Sequence, residues 1–219
     1  MLPPRPKHTR IEQTRLDNIL VALVNNSGDP GDFREVLKEG ANPDKPSGPL
    51  QATPIGRVIL TTSHKRLDTV KALLGAAADP NIGDANGNRP LHSLGVSSNG
   101  GNEDIAKLLI AHKADVNAPN NDGDTPLHVS VRHWLNSNAP WAVLLLLQSG
   151  ADMNRQNARG ETPLQIAINH RKTPDAKERV REMFVRYASL HRESPEAQKD
   201  VAAENLRKLR EKRRPGLKL

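Results

Sequence analysis

A four-residue motif recurs along the chain and sets the spacing of everything between its copies. The fullest copy is Thr125-Pro126-Leu127-His128, and the others, each 36 or 37 residues from the next, are Thr53-Pro54-Ile55-Gly56, Arg89-Pro90-Leu91-His92 and Thr162-Pro163-Leu164-Gln165. A second motif, Gly-Ala-Asp-x-Asn at 150–154, has related copies at 40–44, 77–81 and 113–117. Two motifs that stay in phase over four copies predict a repeat architecture, in which each unit packs only on its neighbours.

Each motif also predicts a local structure. Proline suits the first turn of a helix, where its missing N–H would have no intrahelical partner, and the threonine before it can cap the helix with its hydroxyl oxygen. Paired aliphatic residues such as Leu73-Leu74 predict a second helix in each unit. The Gly-Ala-Asp-x-Asn stretch predicts a chain reversal, because glycine tolerates positive φ and Asp and Asn bond to nearby backbone groups.

These residues resemble the ankyrin repeat family, whose repeats of about 33 residues carry a Thr-Pro-Leu-His-x-Ala signature. The resemblance covers residues 16–190 and implies an all-α solenoid of units that each combine a β-turn with a helix-turn-helix. We expect a repeat domain over residues 9–191, with units at about 9–46, 47–83, 84–120, 121–157 and 158–191.

Three departures from the repeat pattern carry their own predictions. The first unit lacks the Thr-Pro motif, but Thr9-x-x-Glu12 and Asp32-x-x-Glu35 read as capping boxes that would begin its two helices. Gly56 and the approach to Thr53 depart from the pattern, which predicts an irregular hairpin tip in the second unit. The units are three or four residues longer than the family repeat, with the surplus between the two helices, and family drift or an added contact edge would both explain it.

The two ends of the chain hold its excess positive charge, which is +7 overall. Residues 1–8 are basic and rich in proline, and we expect a lead-in without regular structure. Residues 192–219 predict a basic helix and tail, with Ser194-Pro195 at the helix start. This helix would either cap the array or project from it.

The sequence lacks the motifs of the common enzyme classes. It has no phosphate-binding P-loop, no dinucleotide fingerprint, no His-Glu-x-x-His pair and no cysteine nucleophile, so we expect no enzymatic activity and no cofactor. His133 and His170 occupy equivalent positions in adjacent units, yet no third metal ligand accompanies them. For His92 and His128 the family resemblance implies a structural role, with each imidazole bonded to neighbouring turns.

The family resemblance implies that a partner protein binds the concave surface formed by the hairpin tips and the exposed ends of the first helices. In the second unit the helix-end positions are Leu60 and Thr61. Trp134 has an alternative role, packing with Trp141 beneath the loop between the helices. The predicted contact residues are Asn86, Asn88, Asp122, Asp124, Arg132, His133, Trp134, Arg159, Glu161, His170 and Arg171.

The preferred functional hypothesis is a non-enzymatic protein-binding module that acts as an adaptor, scaffold or inhibitor. The alternative is binding of nucleic acid or an anionic membrane through the basic ends, chiefly Arg207, Lys208, Arg210, Lys212, Arg213 and Arg214. The same basic segment would also fit a solvated helix end, where positive charge complements the helix dipole, or a nuclear-localisation signal.

The start of the chain lacks the apolar stretch of a signal peptide, and no apolar run approaches the ~20 residues of a membrane-spanning helix. We therefore expect a soluble, monomeric protein of the cytoplasm or nucleus, with signal-independent export as an effector left open. The identity of the partner does not follow from the residues.

Overall fold

The computed structural model describes residues 9–94, 101–137, 141–170, 182, 184 and 185. Backbone pairing outside helices, in these residues, includes one isolated antiparallel bridge between Ser47 and Ala52. The all-α class is confirmed. The helices are α1 (Arg10–Asn25), α2 (Pro30–Lys38), α3 (Pro54–Leu60), α4 (Arg66–Gly75), α5 (Pro90–Leu94), α6 (Asn102–Ala111), α7 (Pro126–Ser137), α8 (Trp141–Gln148) and α9 (Pro163–His170).

The helices form two layers that run the length of the array. Helices α1, α3, α5, α7 and α9 pack on one another in order and form the first layer, while α2, α4, α6 and α8 do the same in the second layer. Each first-layer helix from α1 to α7 also packs on the helix that follows it in the chain. The repeat architecture is therefore present. The division of residues 9–191 into five units stays a prediction, because most of the fifth unit lies outside the described residues.

The Thr-Pro motif begins the first-layer helices, as the sequence predicts. Pro54, Pro90, Pro126 and Pro163 are the first residues of α3, α5, α7 and α9. The hydroxyl of Thr53 accepts the backbone N–H of Gly56 at 3.3 Å, and that of Thr162 accepts the N–H of Gln165 at 3.2 Å. Each of these bonds satisfies a donor that the first turn of a helix would otherwise leave without a partner.

The first unit confirms one of its two predicted caps. Thr9 and Glu12 form the expected reciprocal capping box at the start of α1. The cap predicted at Asp32 is wrong, because α2 begins two residues earlier, at Pro30. Asp29 caps that helix by accepting the N–H of Gly31 at 2.9 Å, and the fixed φ of proline suits the first helical position.

The core is built mostly from aliphatic side chains between the two layers. One cluster extends from Leu16 in α1 to Ala114 after α6, and it includes Phe33. The second cluster surrounds α7, α8 and α9 and includes Phe184. Because the apolar surface is shared between successive units, each unit depends on its neighbours for burial.

The chain reversals between units are joined by asparagine side chains. Asn81 accepts the backbone N–H of Asp115 at 2.8 Å and donates its amide to the carbonyl of Lys113 at 3.1 Å. Asn117 makes the same two bonds to the next unit, with Asp152 at 2.7 Å and Gly150 at 3.1 Å. The sequence predicted turns at these positions but not the bonds between units.

The hairpin tips are also bonded to one another. The N–H of Asn121 donates to the carbonyl of Asn86 at 3.0 Å, and that of Ala158 donates to the carbonyl of Asp122 at 2.9 Å. The second tip is longer by one residue, because its bridge joins Ser47 to Ala52 whereas the third tip bonds Asp84 to Asn88. The irregular second tip is thus confirmed, and its carbonyl at residue 50 still accepts the N–H of residue 85 at 2.7 Å.

Alanine substitutions at two tip glycines distinguish the destabilisation caused by lost tip packing from that caused by backbone strain. Gly123 and Gly160 have φ of +73° and +71°, so alanine at either position costs about 1–2 kcal/mol. A Cβ at Gly123 would lie 2.6 Å from the backbone nitrogen of Ala158, whereas at Gly160 no atom of the described residues lies within 4 Å. Gly123→Ala should therefore lower the free energy of unfolding by about 1 kcal/mol or more beyond Gly160→Ala. Urea denaturation of both variants checks this, and equal losses would contradict the tip contact.

Candidate functional site

The apices of the tips carry polar side chains, and the backbone of each of these tips is hydrogen-bonded to a neighbouring tip. Asn86, Asp122 and Arg159 are exposed. Arg159 pairs through Nε with Glu161 at 3.0 Å, and Glu161 is half-buried. The carbonyls of Asn86 and Asp122 hold the next tip, so their side chains remain at the surface.

An Asx residue fixes the shape of each regular tip. The side-chain oxygen of Asn120 accepts the backbone N–H groups of Asp122 at 3.0 Å and Asp124 at 2.9 Å. Asp84 and Asn157 do the same in the third and fifth tips. These three residues were not predicted from the sequence, although all of them stand six positions before a motif proline, which is the signal that identifies them.

The structure overturns the assignment of Asp124 to the contact surface. Its side chain is 4% exposed, accepts a hydrogen bond from Asn157 at 2.8 Å, and forms a bidentate ion pair with Arg132, one bond of which is 2.8 Å. Burial raises the pKa of the Asp124 carboxyl, but the bonds from Arg132 and Asn157 outweigh it, so the pKa lies below its usual value. Asp124 therefore stabilises the tip and has no free face for a partner.

Arg132 supports the tip through its ion pair with Asp124, and its contact with a partner stays a prediction. Its side chain is 35% exposed, and the hydrogen bond to Asp124 raises the pKa of its guanidinium. The sequence predicted both partners at the surface because Asp124 belongs to the tip and Arg132 to the helix end. The two residues are eight positions apart, and the guanidinium of Arg132 on α7 bonds the Asp124 carboxylate of the preceding tip.

Trp134 is buried in the core, and its assignment as a contact residue is wrong. It is 8% exposed and lies in the cluster with Leu127 and Val131. Residues 127, 131 and 134 share one face of a helix, so helical spacing alone could have identified this burial. Trp141 packs against the other cluster, and packing of Trp134 with Trp141 stays a prediction.

Of the remaining predicted contact residues, some are half-buried within the array and others lie outside the described residues. Asn88 is half-buried and accepts the amide of Asn120 at 2.8 Å, while His133 is half-buried on α7. The backbone of His170 ends α9, but its side chain lies outside the described residues. The segments 1–8 and 192–219, Arg171 and the basic residues between 207 and 214 also lie outside them.

Two buried histidines connect adjacent units. In His92, Nδ1 accepts the backbone N–H of Arg89 at 3.1 Å, and Nε2 lies 3.1 Å from the carbonyl oxygen of Asp124. His128 makes the same bonds with Thr125 at 3.1 Å and Glu161 at 3.0 Å. A backbone N–H can only donate, so Nδ1 is unprotonated and Nε2 carries the proton that binds the next tip. The imidazoles are therefore held neutral.

Neither a metal-ligand cluster nor a membrane-spanning helix is present in the part of the chain that the structure describes. No group of three or more His, Asp or Glu side chains there could hold a metal ion. No described helix has both the length and the apolar composition to cross a bilayer.

The comparisons with known proteins identify the repeats. The family model of ankyrin repeats matches residues 58–157 with three copies, so this stretch is an ankyrin-repeat array and the resemblance is confirmed. A search of the curated proteins finds no match. Ankyrin repeats are generally protein–protein interaction modules, and the family is typically non-enzymatic.

The neutral imidazoles make stability depend on pH. Burial lowers the pKa of His92 and of His128 in the folded chain. As the pH falls, the histidines of the unfolded chain, with pKa values of ~6.5, therefore bind protons before those of the folded chain. The contribution of the pair to stability is therefore complete above about pH 6.5 and is lost as the pH falls from there through the lower folded pKa values.

The variant His92→Gln/His128→Gln tests this dependence. Gln165 occupies the same position in the fifth unit and accepts the N–H of Thr162 at 2.8 Å, so glutamine keeps the acceptor but does not titrate. We expect the urea midpoint of the intact chain to fall between pH 7 and pH 5 by more than that of the variant. An equal fall of the urea midpoint in the intact chain and in the variant would contradict the assignment of neutral imidazoles.

Proposed function

We propose that this chain is a non-enzymatic protein-binding module, and that a partner protein binds the surface formed by the hairpin tips and the exposed ends of the first-layer helices. We call this the tip surface. The observation that carries the proposal is the row of exposed polar side chains, Asn86, Asp122 and Arg159, on tips whose backbones are bonded to one another.

The bonded tips reduce the cost of binding. Ordering a flexible loop at an interface opposes association, and a surface fixed in advance avoids that cost. Here each of the three regular tips is held from within by an Asx side chain and from the side by a neighbouring tip. The side chains at the apices can therefore contact a partner without ordering their own backbone.

The composition of the tip surface favours a polar partner surface of mixed charge. Asp122 and the pair of Arg159 with Glu161 supply both signs within two adjacent tips, and His133 adds an imidazole from α7. Charges of both signs select for a complementary partner and affect specificity and association rate more than affinity. This arrangement suits an adaptor, a scaffold or an inhibitor, and the chain is expected to act as a monomer.

The alternative proposal, binding of nucleic acid or an anionic membrane, concerns the basic ends of the chain. It depends on Arg207 to Arg214, which lie outside the described residues. A steep loss of affinity with added salt would be its mark, because each phosphate contact releases condensed counterions.

The variant Asp122→Ala/His133→Ala/Arg159→Ala tests the tip surface. Arg132 is left intact because its removal would strand the buried Asp124 carboxylate. The matched control is Glu103→Ala/Lys107→Ala/His112→Ala. It also removes an acid, a base and a histidine, here from exposed positions on and just after α6 in the second layer.

We expect proteins captured from lysate by the immobilised intact chain, and identified by mass spectrometry, to be captured by the control and lost by the tip variant. Loss of about 1.4 kcal/mol of binding energy would lower the affinity about tenfold. Capture that survives the tip substitutions would contradict the proposal. Capture abolished by nuclease would favour the basic ends instead.

A further inference from the structure

A mostly apolar groove of about 420 Å³ lies where the second tip meets the ends of α1 and α3. Five of its lining residues are apolar, among them Leu50 on the tip and Leu60 at the end of α3, and the charged lining residue is Arg57. The volume falls within the range of clefts that receive ligand groups, about 300–1,000 Å³. Other described tips lack an apolar residue of this size at the surface.

The two leucines in this groove are unusually exposed. Leu50 is 47% exposed and Leu60 is 54% exposed. A single exposed leucine is ordinary, but two that line one concave site leave contiguous apolar surface in water, which is a feature of binding sites. Burying both against a partner would be favourable because apolar area leaves water.

The longer second tip is what brings Leu50 to the groove. Its bridge spans residues 47 to 52, and Gln51 turns the chain with φ of +49° and donates its amide to the carbonyl of Gly48 at 2.9 Å. The carbonyl of Leu50 also accepts the N–H of Ala85 at 2.7 Å. These bonds hold the backbone around Leu50 in place, so the apolar site is formed before any partner arrives.

Arg57 gives the groove a positive charge. Its guanidinium donates to the carbonyl of Ser47 at 3.4 Å and to the side-chain oxygen of Asn25, and both acceptors are neutral. No carboxylate pairs with Arg57 among the described residues, and no acidic residue lines the groove. A partner carboxylate at this site would find an uncompensated cation beside the apolar walls.

We propose that this groove is an anchor site of the tip surface, and that it binds a segment of a partner protein in which a large apolar side chain stands next to an acidic one. The apolar side chain lies between Leu50 and Leu60, and the carboxylate faces Arg57. This inference rests on the proposed function and adds to it the chemistry of the partner segment.

The probe is a random peptide library displayed on phage and selected on the immobilised full-length chain. We expect the enriched peptides to share a large apolar residue beside Asp or Glu. Their synthetic forms should bind the intact chain, as measured by fluorescence anisotropy, and bind the Leu50→Ser/Leu60→Ser variant at least tenfold more weakly. The matched control, Ile11→Ser/Ile19→Ser, changes two exposed isoleucines on α1 away from the groove and should leave the affinity unchanged.

Two substitutions of opposite charge at Leu60 test whether the partner segment carries an acidic residue. Leu60→Glu and Leu60→Lys both remove the apolar contact at a half-exposed position, but only glutamate repels an acidic peptide. We expect Leu60→Glu to weaken binding further than Leu60→Lys, with the difference shrinking at high salt. Equal losses would overturn the assignment of an acidic partner.

Further outcomes separate this inference from the proposed function. Enriched peptides that bind the leucine variant normally but fail on the Asp122/His133/Arg159 variant would overturn the anchor site while supporting the tip surface. Failure to enrich any peptide, or enrichment of basic peptides, would overturn the inference, whereas the proposed function is tested separately by capture from lysate. Circular dichroism and thermal unfolding of each variant exclude misfolding as the cause.

Discussion

The hydrogen bonds that asparagine side chains make between successive units hold the rest of the structure in place. Asn81 and Asn117 each bond one carbonyl and one N–H of the next chain reversal, and so fix the rotation of one helix pair against the next. The histidines of the Thr-Pro motif form a second row of such bonds, from first-layer helices to the following tips. The stack is thus joined by directed polar bonds as well as by its aliphatic core, which by itself would tolerate sliding.

This polar framework divides the tip residues into those whose side chains bond within the array and those whose side chains are exposed. Asn120, Asp124 and Asn157 use their polar groups within the array and are buried or half-buried. Asp122 and Arg159 occupy the same tips, but their side chains are exposed. The second tip differs because it is one residue longer and exposes an apolar side chain, Leu50. The same repeat pattern therefore presents both a polar and an apolar exposed region.

Sequence reasoning recovered the elements whose signals are local. The motif prolines mark the starts of α3, α5, α7 and α9, and Thr9 with Glu12 marks the start of α1. The site was harder to predict, because exposure depends on which groups meet across the fold. The motifs did not show that Arg132 pairs with Asp124, and the motif-based contact surface ignored the helical face that buries Trp134. The start of α2 was misplaced because Asp29, not Asp32, caps the helix and Pro30 takes its first position.

The most direct test of this account is hydrogen exchange at the amide of Asp152, which lies outside any helix and bonds the side chain of Asn117 at 2.7 Å. We predict that this amide is protected in the intact chain. In Asn117→Ala it should exchange like an open turn, with the free energy of unfolding lowered by about 1–3 kcal/mol for the two lost bonds. Asn86→Ala, at an exposed tip, should change neither quantity. Fast exchange at Asp152 in the intact chain, or unchanged protection in Asn117→Ala, would contradict the claim that asparagine side chains hold the units together.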